Sequence, residues 1–110
     1  MMGERVRYAF RMRLKPGTAD EYRRLHEAVD DAVIDEIRRA GIHNYSIFVD
    51  GTDLFSYLEI DDLDKFAEVM RSSDGSRPWA RAVTRLFAEK ASDPATGMPP
   101  RLREVFRFDQ

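Results

Sequence analysis

Ile42-His43-Asn44-Tyr45-Ser46-Ile47-Phe48-Val49, then Asp50-Gly51-Thr52-Asp53, then Leu54-Phe55-Ser56-Tyr57-Leu58-Glu59-Ile60, reads as a β-hairpin. Asp-Gly between two alternating runs rich in β-branched and aromatic residues is a strong hairpin signal, so the two strands are expected to pair antiparallel. A period of two assigns the faces. On the first strand His43, Tyr45, Ile47 and Val49 share one side and Asn44, Ser46 and Phe48 the other; on the second, Leu54, Leu58 and Ile60 oppose Phe55, Tyr57 and Glu59. So placed, His43 and Tyr45 can line one cavity, which Asn44 can join only through a bulge.

Upstream, Val6, Tyr8, Phe10, Met12 and Leu14 alternate with Arg7, Ala9, Arg11 and Arg13, which predicts a strand with one buried face. Pro16-Gly17 ends it. Thr18 followed by Glu21 has the spacing of a capping box. It opens a helix expected to run to about Arg39, where Ala40-Gly41 offers a glycine stop. Along that helix Tyr22, Leu25, Val29, Val33 and Ile37 recur at spacings of three and four, and His26 falls inside the apolar stripe, one turn after Tyr22.

Downstream, Asp61-Asp62-Leu63-Asp64 supplies acidic residues for a helix start, and Leu63, Phe66, Ala67 and Met70 form a short stripe over roughly 62–71. A linker, Ser72 to Pro78, leads to Trp79, from which Val83, Leu86 and Phe87 continue a third stripe with Pro78 in its first turn. Ser92 to Pro100 is loop by composition, and Arg103-Glu104-Val105-Phe106-Arg107-Phe108 is expected to close the chain as a last strand. This order predicts one α+β domain over 1–110, a ferredoxin-like antiparallel sheet with helices on one face. The other sheet face then needs cover, which suggests a homodimer of the dimeric α/β-barrel type, its terminal strand reaching across.

Composition narrows the partners. Eighteen basic against twenty acidic residues leave a net charge of −2, giving no electrostatic reason to expect nucleic acid or an anionic membrane. No apolar run is long enough to span a bilayer, and the polar start Met1-Met2-Gly3-Glu4-Arg5 lacks the apolar core of a secretory signal. With no cysteine, the chain has no disulfide framework and no thiolate metal site, which fits a reducing, cytoplasmic setting.

Chemistry-bearing residues are few. Imidazole has an unperturbed pKa of about 6.5 and both takes and gives protons near neutrality, so His26 is either a candidate acid/base or a half-buried histidine satisfied by its helix. His43 and Tyr45 are either ligand-facing or a strand end and a core tyrosine. Trp79, the single tryptophan, is either core or an indole that stacks on the apolar face of a sugar ring. Two histidines seventeen residues apart match no metal-ligand spacing, so no zinc site is expected. There is no phosphate-cradling glycine loop and no nucleophile context for a serine. The basic face of Arg7, Arg11 and Arg13 is either solvated or engaged in salt bridges between subunits.

The ordered set Ala9-Phe10-x-Met12, Glu21-Tyr22-x-Arg24-x-His26, Ala40-Gly41-x-His43-Asn44-Tyr45-Ser46-Ile47, Trp79 and Glu104-Val105-Phe106 closely resembles the L-rhamnose mutarotase family over nearly the whole chain. That resemblance implies a small dimeric ferredoxin-like enzyme that interconverts the α and β anomers of a free aldose without metal or cofactor. It implies His26 as proton donor, with Tyr22, Tyr45 and Trp79 lining the sugar site. Pro78 stands where the family carries the first of two adjacent tryptophans, which bears on which sugar is preferred. Two rival readings share the same sheet architecture or the same ligand: a cofactor-free monooxygenase or haem-handling protein, and a sugar-binding module without catalysis.

Overall fold

The structure is a computed structural model, and it describes residues 4–74, 77–88 and 98–109. Alternation along β1 (Val6–Arg13) turns Tyr8 and Phe10 inward, each no more than 3 % exposed, and leaves the arginines on the far face. β1 pairs antiparallel with β3 (Asp53–Ile60), from Val6 opposite Ile60 to Arg13 opposite Asp53. β3 pairs in turn with β2 (Ile42–Asp50), so the sheet runs β1-β3-β2. The expected hairpin is there, with Gly51 at φ +61 in its turn, a backbone value glycine adopts without strain.

The single helix expected from Thr18 to Arg39 is instead two, α1 (Ala19–Leu25) and α2 (Asp31–Arg39). Asp30 is the reason. Its side chain accepts the Ala32 N–H at 2.9 Å, so it caps a new helix rather than continuing the old one, as aspartate at such a position favours. The Thr18–Glu21 capping box does not form either: the Thr18 hydroxyl donates to the Lys15 carbonyl, and the Glu21 carboxylate pairs with Arg85 at 2.6 Å. α2 ends at the expected glycine stop, Gly41 at φ +73.

α3 (Leu63–Arg71) is capped by Asp62, which accepts the N–H groups of Asp64 and Lys65. It buries Phe66 completely and leaves the expected stripe residue Leu63 exposed, because Val69 and Met70, not Leu63, are the neighbours of Phe66 that meet the core. α4 (Pro78–Thr84) starts with Pro78 in its first turn. The helices lie on one sheet face and make two core clusters there. Tyr8, Phe10, Ile42, Leu58, Ile60 and Phe66 form one, beside α2 and α3; Leu14, Tyr22, Leu54, Val83 and Leu86 form the other, beside α1 and α4, and Met12 packs against both.

The last expected strand, Arg103 to Phe108, does not pair with the sheet. Its neighbour Leu102 donates one main-chain hydrogen bond to the Ala9 carbonyl at 2.7 Å, and the Arg101 guanidinium takes the Arg7 carbonyl that a pairing strand would have used. Beyond it Val105, Phe106 and Phe108 are 77–86 % exposed. Side-chain pairs such as Arg7–Glu104 at 2.7 Å hold the segment instead. The basic face of β1 is thus partly neutralised within the chain.

Candidate active site

A cavity of about 830 Å³ opens along the seam between the two core clusters. Its position follows from the break between α1 and α2. A helix end leaves carbonyls short of intrahelical partners, and two aromatic side chains donate to carbonyls of the last turns here, Tyr22 also accepting the His26 main-chain N–H at 3.3 Å. His26, just past α1, donates from Nδ1 to the Tyr22 carbonyl at 2.7 Å. Trp79 on α4 donates from its indole Nε1 to the Leu25 carbonyl at 2.9 Å. A carbonyl only accepts, so the His26 proton sits on Nδ1 in the neutral ring, and Nε2 keeps its lone pair, with no protein partner among the described residues.

The rings are arranged around that nitrogen. The imidazole lies 4.3 Å from the Tyr22 ring centroid at 34° and 5.1 Å from the Trp79 centroid at 73°, an edge-on contact. Tyr45 enters the same cavity from β2, as Ser56 does from β3. Burial pushes both phenols above the usual tyrosine range, the proximity of Tyr45 adding to the shift at Tyr22 and the Ser56 hydroxyl partly offsetting it at Tyr45. Both are therefore neutral hydrogen-bonding groups at physiological pH. Tyr22, His26, Tyr45 and Trp79, from α1 and its C-cap, β2 and α4, all line one space.

His43 is not brought to it. A β-bulge sets Asn44 and Tyr45 together opposite Leu58, since His43 faces Glu59 while Ser46 faces Tyr57, and Asn44 takes φ +50 to make the turn. The bulge parts His43 from Tyr45, while Ile47 stays on the side of Tyr45 as expected. Ile42, Tyr45 and Ile47 look toward the helices; His43 and Asn44 both lie on the outer face, where His43 Nε2 meets the Asp61 carboxylate at 2.8 Å and Asn44 donates to Glu59 at 2.9 Å. These bonds hold both carboxyls below the usual carboxylate range. Ser56 also lines the cavity. Its even position between Leu54 and Leu58 is the available signal, because alternation puts that hydroxyl among inward side chains, and it is 5 % exposed.

A three-stranded antiparallel sheet with its helices on one face and an aromatic, histidine-bearing cavity between the layers defines an α+β protein of ferredoxin-like architecture. A model of the L-rhamnose mutarotase family matches residues 7–108. The L-rhamnose mutarotase of Oceanobacillus iheyensis is 30 % identical over 105 residues, covering 94 % of this chain and 98 % of its own, and that of Opitutus terrae is 31 % identical over 106 residues, covering 94 % and 99 %. Among solved structures, L-rhamnose mutarotase from Formosa agariphila matches with a TM-score of 0.65 at 24 % identity, covering 94 % of this chain and 99 % of that one. Tetracenomycin F2 cyclase from Streptomyces glaucescens matches with 0.64 at 13 %, covering 96 % and 98 %. These two share the fold. The chain belongs to the L-rhamnose mutarotase family, enzymes that interconvert the anomers of a sugar, and that membership disfavours the monooxygenase, haem and non-catalytic readings.

Proposed function

We propose that this chain interconverts the α and β anomers of L-rhamnose, or of a closely similar 6-deoxy aldose, with His26 as the proton-transfer group. The observation that carries the proposal is the commitment of His26 Nδ1–H to the Tyr22 carbonyl, which leaves Nε2 as the one ring nitrogen available in a cavity walled by Tyr22, Tyr45 and Trp79. Ring opening needs the anomeric hydroxyl to lose a proton while the ring oxygen gains one. Neutral His26 Nε2 takes the hydroxyl proton, and the neutral Tyr45 phenol gives one to the ring oxygen as the bond from C1 to that oxygen breaks. The aldehyde turns about C1–C2, the ring oxygen attacks the other face, and both protons return. Acid–base help of this kind is worth about 10²–10⁴-fold. Trp79, its N–H already spent on Leu25, offers an apolar ring to the C–H face of the sugar. Pro78 offers no second ring.

The reading extends to assembly and setting. The apolar tail residues Val105, Phe106 and Phe108, together with Phe48 at 62 % and Phe55 at 41 % exposure at one end of the sheet, favour a homodimer in which a second copy covers them. The cysteine-free sequence suits the cytoplasm. Polarimetry tests the activity. Freshly dissolved α-L-rhamnose is expected to approach its equilibrium rotation faster with the protein than without it, and an unchanged rate for L-rhamnose and L-fucose alike would refute the proposal.

A further inference from the structure

β1 is an edge strand, and its main-chain groups point alternately toward β3 and away from it. The even positions serve the ladder, as Leu14 shows by donating to the Thr52 carbonyl at 2.7 Å. The odd positions face outward, and three of their carbonyls find partners. Arg7 accepts from the Arg101 guanidinium at 2.7 Å, Ala9 from the Leu102 N–H at 2.7 Å and Arg13 from the Ala88 N–H at 2.9 Å. Arg11 lies midway between the last two, and its N–H and C=O have no partner among the described residues. It is also where the sheet edge borders the cavity. Its side chain belongs to the outer face, opposite the exposed Phe55, and its free main-chain groups lie along the sheet edge where that edge borders the cavity.

We infer that the N–H and C=O of Arg11 form a sugar-binding pair that takes two vicinal hydroxyls of the aldopyranose. In an extended residue these two groups lie side by side, which is how one residue exchanges two hydrogen bonds with the residue opposite in an antiparallel ladder. A vicinal diol offers the same complement: one hydroxyl oxygen accepts from the N–H while the other hydroxyl donates to the C=O. Ala9 and Arg13 stand roughly 13 Å apart at about 3.3 Å per residue, a span that matches one pyranose ring with its hydroxyls. The contact carries no charge, as suits a neutral ligand, and it sits on a strand rather than a loop, so it fixes the ring against His26. A sugar lacking one of the two hydroxyls leaves a covered main-chain group unpaired and is expected to bind about tenfold more weakly or worse. The inference rests on the sugar site proposed above.

Proton–nitrogen correlation spectra of the uniformly ¹⁵N-labelled chain, titrated with L-rhamnose, test it. The Arg11 amide is expected to shift along the same saturation curve as the Trp79 indole N–H, and its hydrogen exchange to slow at least about tenfold at saturation. An Arg11 amide that stays still while the indole moves overturns the inference and leaves the sugar site standing; no movement anywhere overturns both. Arg11→Pro removes the N–H from an edge position the ladder does not use. In the folded variant KM is expected to rise about fivefold, the equivalent of one net hydrogen bond, with kcat within twofold. An unchanged KM overturns the inference.

Discussion

Trp79→Phe separates the two jobs of the indole. Phenylalanine keeps an aromatic ring near His26 but deletes the N–H that caps the Leu25 carbonyl at 2.9 Å. That carbonyl belongs to the last turn of α1 and has no main-chain donor among the described residues, so the variant strands a half-buried acceptor. Losing the bond and leaving the acceptor unpaired costs about 1–2 kcal/mol. With an unfolding entropy of about 2.1 cal/mol/K per residue over a chain of 110, that lowers Tm by roughly 4–9 °C. The same bond holds the break at which His26 is set, and the imidazole loses an edge contact 5.1 Å from the ring it packs on. Anomer exchange is therefore expected to fall about tenfold in kcat, with a smaller change in KM, as befits a misplaced proton-transfer group. Differential scanning calorimetry and exchange kinetics read both effects. A variant with Tm within about 1 °C of wild type and unchanged exchange would refute the claim that the indole staples α1 and positions His26.

Three further outcomes follow from the same structure. Leu58→Ala empties a fully buried position between β1 and β2, and chemical denaturation is expected to show a loss of about 2–5 kcal/mol. The raised phenols of Tyr22 and Tyr45 stay protonated in the folded chain where unfolded tyrosines ionise, so stability is full below about pH 10 and falls as pH rises beyond it. Tyr45→Phe should make that alkaline fall shallower in thermal melts. The depressed carboxyls of Glu59 and Asp61 work the other way: their contribution is present above the ordinary carboxylate range and is lost as pH falls through their folded values, and Asp61→Asn should flatten the acid limb of the Tm profile.

Period-two alternation made β1 and β3 legible residue by residue, and Asp50-Gly51 announced the hairpin, because side-chain direction in a strand is a local property. What was not local was not legible. Asp30 reads equally as a polar residue on an exposed helix face or as a cap, and only the docking of Trp79 onto the Leu25 carbonyl makes the break worthwhile. The bulge at Asn44 depends on a left-handed backbone that asparagine tolerates but does not demand, and it moved His43 away from Tyr45. The tail from Arg103 to Phe108 has strand composition but, among the described residues, makes no main-chain hydrogen bond, the one at Ala9 coming from its neighbour Leu102. Conversely, Tyr22, His26, Tyr45 and Trp79 were each visible in the sequence, while their meeting point needed the fold.

The central claim is that His26 moves the proton that opens the ring. Saturation-transfer proton NMR on L-rhamnose at equilibrium measures anomer exchange directly, comparing wild type, His26→Ala and no protein. Wild type is expected to speed the exchange, and His26→Ala to lower the protein-dependent rate about 10²–10⁴-fold while correlation spectra still show the sugar bound. A His26→Ala variant that exchanges the anomers as fast as wild type would contradict the account.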